Sequence, residues 1–308
     1  MDKPAPEFDE LIDIESARGA LDELFMLARH YRDSTKFLEL MRFVATFRRY
    51  SAFNAVLVHI QMPGARFVLP AKRWREEFRR MPVRDAQPLV MLQPMSPIMF
   101  GFDVSQTEGD DLPRGFEDPF RLDGLLDRGV FDRTVENARR DGVDVQLKPL
   151  GSTLGGYVRN VESPDHAIGI GYVSRPTRAA SIDGREIRVI AKIVLNSTLS
   201  DATNYATLTH ELAHLYCGHV YPPDPRWCPA RSGLDKNTKE FEAESVSFLV
   251  CQRANLATPA AEYLHGYLGA NAQVPPISLA VIFKAAQRIE TMGKKKKMPI
   301  RPFESEEA

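Results

Sequence analysis

The sequence is poor in the features that would place it outside an ordinary aqueous compartment. Only 3 of its 308 residues are cysteine. An odd number in scattered positions argues against a disulfide framework, and no C-x-x-C pair marks a cysteine-rich zinc site. No apolar run approaches the ~20 residues needed to cross a bilayer. The opening residues, Met1-Asp-Lys-Pro-Ala-Pro6, lack the apolar centre of a secretory signal. Internal repeats are absent. So is net charge: 40 Lys and Arg face 41 Asp and Glu, a formal −1, which gives no global attraction to polyanions. These absences predict a cytoplasmic chain with no membrane partner, long enough for one to two domains and a sizeable core.

What the sequence does contain is His210-Glu-Leu-Ala-His214. On a helix, positions four apart lie about 40° apart around the axis, so His210 and His214 share a face and can share a metal ion. Glu211 beside them can reach a water on that metal. Two imidazoles, an open position and a carboxylate base are what a zinc hydrolase needs. The surroundings suit a helix. The apolar stretch Ile190–Asn196 precedes it, Ser197–Asn204 offers several N-caps, and Leu208, Leu212 and Leu215 form a stripe beside the histidines. Gly218 is a natural stop, followed by Pro222 and Pro223.

Two histidines leave a catalytic site short of a ligand. His219 lies nine residues after His210 and, on a continuous helix, faces away from it. The acidic stretch Thr238–Cys251 carries Glu240, Glu242 and Glu244. Glu240 and Glu244 are four apart on one face, which suits a ligand and a partner that orients an imidazole. Glu240 is therefore the expected third ligand and Glu244 its supporting residue, with Glu242 as the rival. The ion is expected to be one Zn²⁺ per chain, another divalent metal being the alternative. The expected chemistry is peptide hydrolysis, with Glu211 taking a proton from the attacking water and passing it to the leaving amine. The apolar strand Arg188–Asn196 is expected to pair with an extended substrate. His219, Tyr216 and Tyr221 are unplaced candidates for stabilising the transition state.

Charge is unevenly distributed. Residues 31–84 hold twelve Lys or Arg against four acids, with Phe47, Tyr50, Phe53, Phe67, Trp74 and Phe78 interleaved. Cations neutralise phosphates and aromatic faces stack on unpaired bases. A basic amphipathic helix pair with a buried aromatic stripe reads equally well from composition alone.

These stretches carry a family resemblance. His210–His219 followed by Glu240-Phe-Glu-Ala-Glu244 resembles the metallopeptidase domain of ArdC-type antirestriction proteins and, more broadly, the ImmA/IrrE gluzincins. Tyr50–Val58, Pro63-Gly-Ala65, Lys72-Arg-Trp74 and above all Phe102-Asp-Val-Ser-Gln-Thr-Glu-Gly109 resemble the ArdC N-terminal domain, which in that family binds single-stranded DNA. The resemblance spans roughly 35–110 and 190–255. It tilts the N-terminal reading towards DNA, with Arg48, Arg49, Lys72, Arg73, Trp74 and Arg75 as contacts. It implies a zinc metallopeptidase coupled to a single-stranded-DNA-binding domain with an antirestriction role. The alternatives are a non-catalytic DNA-binding protein with a vestigial metal site, or an ImmA-like protease that cleaves a repressor.

The expected architecture is α+β. A flexible stretch to residue 12 leads into a DNA-binding domain over 13–107, a linker over 108–120, a zincin-like domain over 121–292 and a disordered tail from Gly293. Helices are expected near 13–31, 35–50, 52–61, 70–80, 130–140, 202–217, 236–254, 258–267 and 277–292. Strands are expected at 89–92, 98–102, 144–147, 156–161, 167–173 and 185–195, with Ser181–Gly184 as a hairpin turn.

Overall fold

A computed structural model describes residues 34–92, 98–112, 126–127, 129–150, 156–160, 179–220, 230–256 and 274–301. The expected helices near 13–31 and 258–267, the strand near 167–173 and most of the linker lie outside these residues. The fold is α+β, and the chain divides into two compact units, Met1–Phe120 and Arg121–Ala308.

In the first unit, α1 (Ser34–Thr46) buries Phe37, Leu40, Met41, Val44 and Ala45, the i, i+3, i+4, i+7, i+8 stripe of an amphipathic helix. Ser51 caps α2 (Ala52–Gln61) by accepting from the Asn54 amide. Strands β1 (Val68–Leu69), β3 (Leu89–Met91) and β4 (Met99–Asp103) form an antiparallel sheet in the order β1-β4-β3. The outer edge of β3 is covered by side chains of α2. Asn54 bonds both the N–H and the C=O of Leu92, and Gln61 does the same for Val90. Two carboxamides seven residues apart thus replace a neighbouring strand and satisfy an otherwise open edge. Helix α3 (Ala71–Phe78) joins β1 to β2 (Arg80–Pro82), which pairs with β5 (Thr107–Gly109). The expected linker therefore begins as a paired strand.

Asp103 holds these pieces together. Its fully buried carboxylate accepts the backbone N–H of Arg66 (2.7 Å), Phe67 (2.9 Å) and Ser105 (3.0 Å), and it caps the 3₁₀ turn Val104–Gln106 reciprocally with Gln106.

In the second unit, α4 (Val130–Arg140) leads to β6 (Val143–Lys148), then β7 (Gly156–Asn160). The hairpin β8 (Ala179–Ile182) to β9 (Arg185–Arg188) turns at Asp183 and Gly184, both at positive φ. β10 (Ala191–Asn196) follows, so the stretch expected as one strand from 185 to 195 is two. The sheet order is β6-β10-β7, β10 running parallel to β6 and antiparallel to β7. β10 is central, and its Ala191, Ile193, Val194 and Leu195 have no solvent exposure. It is already paired on both sides, which rules out the expected role of Arg188–Asn196 as a strand that takes up substrate.

Helices α5 (Asp201–Tyr216), α6 (Lys236–Arg253) and α7 (Leu279–Lys294) complete the unit, with α5 packed on the sheet and against α6. Ser200 and Asp235 cap α5 and α6. The expected disordered tail is corrected over its first part. Gly293 and Lys294 belong to α7, Met298 is buried with its N–H on Asn137 Oδ1 (2.7 Å), and Lys297 pairs with Asp183 at 2.9 Å. None of the described helices is long and apolar enough to cross a membrane.

Asp103→Ala strands three backbone donors in the first unit. It should lower that unit's stability by about 3 kcal/mol, measured by urea unfolding.

Candidate metal centre

The site is built on the facing surfaces of α5 and α6. His210 Nε2 stands 3.1 Å from His214 Nε2 and 3.4 Å from Glu240 Oε2, and His214 Nε2 is 3.7 Å from Glu240 Oε2. Tetrahedral zinc with bonds of 2.0–2.1 Å separates its ligand atoms by about 3.3 Å. The three distances straddle that value, so the donor set fits one Zn²⁺. His214 is almost wholly buried, whereas the side chains of His210 and Glu240 retain 19% and 15% exposure. The trio is thus accessible from one side. Glu211, half-buried, follows His210 on the same helix, and its charge acts on the His210 ring. Glu244 lies behind His210, with Oε1 3.6 Å from Nδ1.

Electrostatics suit a cation. Burial disfavours charge on His210, but the Glu240 hydrogen bond and the charges of Glu211, Glu244 and Glu240 outweigh it and raise its pKa to about 9. Burial likewise pushes Glu240 up, yet the two imidazoles hold it far below the usual carboxylate range. Burial raises Glu244, with the charge of Glu240 adding to it. Without metal, His210 therefore carries a proton against the Glu240 carboxylate, and a divalent cation would displace it. His214 goes the other way, lowered to about 4, chiefly by burial.

Glu242 is not part of the trio. It is fully buried on another face of α6, where Arg231 grips both oxygens at 2.5 and 2.6 Å, Ser278 N–H donates at 2.7 Å and His219 Nε2 lies at 2.8 Å. Cys217, His219 and Glu242 form a second cluster of ligand atoms within 4.8 Å. A cation there would have to displace the Arg231 guanidinium. Tyr216 is drawn off to Asp141 (2.7 Å), itself held by Arg288, and is no transition-state helper. Tyr221 and Cys228 lie outside the described residues.

His219 sits where extrapolating the helix does not put it. Gly218 adopts φ +74°, its N–H bonds Leu215 O at 3.1 Å, and His219 N–H bonds His214 O at 2.9 Å. This Schellman turn folds the chain back, placing His219 over the residue five positions earlier. Its Nδ1 lies 3.0 Å from His214 Nδ1. The signal was Gly218, the residue that makes such a reversal cheap.

No family model and no curated protein matches the chain. Among solved structures it is similar to the antirestriction ArdC protein from plasmid R388, in a metal-free structure. Identity is 15%, over 80% of this chain and 83% of that one, with a TM-score of 0.32. At that score the backbones agree loosely.

In the first unit, Trp74 is corrected. It has no exposure, donates Nε1–H to Phe102 O at 2.8 Å and packs on Phe67 and Phe78. It cannot stack on a base. Tyr50 is likewise tied to Val68 O, and Phe47 is buried. Arg49 pairs with Glu77 and lies over the Phe67 ring, Arg73 also pairs with Glu77, and Arg48 is half-buried. Lys72, Arg73 and Arg75 are exposed on α3.

Glu240→Ala should abolish stoichiometric zinc, with a smaller loss of metal-free stability than Glu242→Ala, because His210 can give up its proton once the carboxylate is gone. Glu242→Ala should cost roughly 3 kcal/mol, because it strands the half-buried Arg231 guanidinium, the Ser278 amide and the buried His219 ring together. Metal analysis beside urea unfolding checks both; metal retained in Glu240→Ala would remove Glu240 from the ligand set.

Proposed function

We propose that the chain is a zinc-dependent metallopeptidase of the gluzincin type, its second unit a zincin-like domain, joined to an N-terminal unit that binds single-stranded DNA. The observation that carries the peptidase reading is the convergence of His210, His214 and Glu240 at zinc-like spacing, with Glu211 on the same helix. A structural zinc is normally closed by four protein ligands. Among the described residues three donors converge, and two of their side chains keep contact with solvent, which favours catalysis over a scaffold role.

His210, His214 and Glu240 would hold the ion, which when bound supplies Lewis acidity to a peptide carbonyl and acidifies a water molecule. Glu211 accepts the proton of that water and returns it to the leaving amine. Glu244 orients His210 through Nδ1. Among the described strands, β7 is the antiparallel edge of the sheet beneath α5, and it takes over the substrate-pairing role expected of β10.

With Trp74 in the core, DNA binding rests on charge and on the sequence resemblance to ArdC-type proteins, which also suggests an antirestriction role. Lys72, Arg73 and Arg75 supply phosphate contacts rather than stacking.

Glu211→Gln should keep one equivalent of zinc and lose cleavage of an unstructured protein substrate by a factor of at least about 100. Cleavage at the wild-type rate would remove Glu211 as the base. Replacing Lys72, Arg73 and Arg75 by Ala should weaken binding of a single-stranded oligonucleotide and flatten its salt dependence by about two units of slope. An unchanged slope would move the DNA site elsewhere.

A further inference from the structure

We propose that His219 is a positioning residue that fixes the tautomer of His214, transmitting to it the charge of the buried Glu242. The inference rests on the metal-site reading above, but its first test does not need metal.

The argument is a count of protons along one line of atoms. Glu242 is gripped at both oxygens by Arg231 and also receives Ser278 N–H. A carboxylate bound by three such donors is ionised and can only accept. His219 Nε2, 2.8 Å from Oε2, must therefore carry a hydrogen. A neutral imidazole has only one, so His219 Nδ1 is bare. That bare nitrogen faces His214 Nδ1 at 3.0 Å, and two bare nitrogens at that distance repel. His214 must then hold its hydrogen on Nδ1, which leaves Nε2 with a free lone pair. Nε2 is the atom that points at His210 Nε2 and Glu240 Oε2. The opposite tautomer would aim an N–H at the metal position and forbid ligation. His219 has no solvent contact, and the Glu242 charge it faces is already balanced by Arg231 at both oxygens, so a second cation there would be buried without a counter-charge.

The two ligand histidines are thus oriented by different means. His210 has a carboxylate, Glu244, directly behind it. His214 reaches its carboxylate through a second imidazole, set in place by the Gly218 turn. The orienting partner of a metal-bound histidine is usually a carboxylate, a backbone carbonyl or water. Here His219 stands in that position, and Glu242 sets its tautomer in turn.

The test uses the full chain with ¹⁵N-labelled histidine. In metal-free wild type, long-range ¹H–¹⁵N correlation is expected to find His214 protonated at Nδ1 and His219 at Nε2. Zinc affinity is then measured by competition with a chromophoric chelator. His219→Leu is expected to lower it about 10–100-fold. His219→Gln keeps an acceptor and a donor and should stay within about threefold of wild type. A His214 hydrogen on Nε2 in the wild type, or His219→Leu binding zinc like the wild type, overturns the proposal. If His219→Leu fails to fold, the wild-type tautomers and His219→Gln still decide. A wild type that binds no zinc refutes the metallopeptidase reading, while the tautomers continue to judge this one.

Discussion

One carboxylate without solvent contact, Glu242, ties together three segments of the second unit. Burying a charge costs several kcal/mol unless donors surround it. Glu242 draws its donors from three directions: Arg231 before α6, His219 beyond the end of α5, and Ser278 at the start of α7. A shift of any of these segments leaves the buried carboxylate short of a donor. The helix that carries Glu242 is thereby held in rotation about its own axis. Glu240 and Glu244, one turn apart on a different face, are left facing His210.

The E-x-E-x-E run is thus a division of labour between two faces of one helix. The outer pair meets the histidines of α5, where partial exposure leaves room for an exchangeable ligand. The middle residue is consumed by structure. Among the described residues, Glu242 is linked to the histidine pair through His219, which stands between it and His214. Stability and the geometry of the candidate metal trio therefore meet at Glu242, although that residue is not one of the three.

What was legible in the sequence follows from which regularities survive folding. The His210/His214 pair and the Glu240/Glu244 pair each lie within one continuous helix, where spacing translates directly into direction. The Asp183-Gly184 hairpin turn was legible because positive φ demands such residues. His219 was not, since extrapolating a straight helix fails the moment Gly218 reverses the chain. Counting basic and aromatic residues over 31–84 did not say which way each points, and Trp74 points inward. An apolar run such as Ile190–Leu195 signals burial, but periodicity alone does not distinguish a central strand from an edge. The stretch from Gly293 read as a disordered tail because nothing local revealed that Asn137 and Asp183, more than a hundred residues away, hold Met298 and Lys297.

The same logic bears on the phrase Phe102–Gly109, the most specific part of the N-terminal resemblance. The side chains of Asp103, Ser105, Gln106 and Thr107 all bond within the fold. Asp103 takes backbone donors from Arg66, Phe67 and Ser105, and Ser105 Oγ donates to Asp103. Gln106 bridges Asp103 and Gln87, while Thr107 bonds Val104 and receives Arg80. Phe102 O receives Trp74. Side chains whose hydrogen-bonding capacity is used internally have little left for a nucleic acid. The phrase therefore encodes a joint between α3, β4 and β5. By pinning Trp74 inside, it turns the flanking positions Lys72, Arg73 and Arg75 outward to solvent.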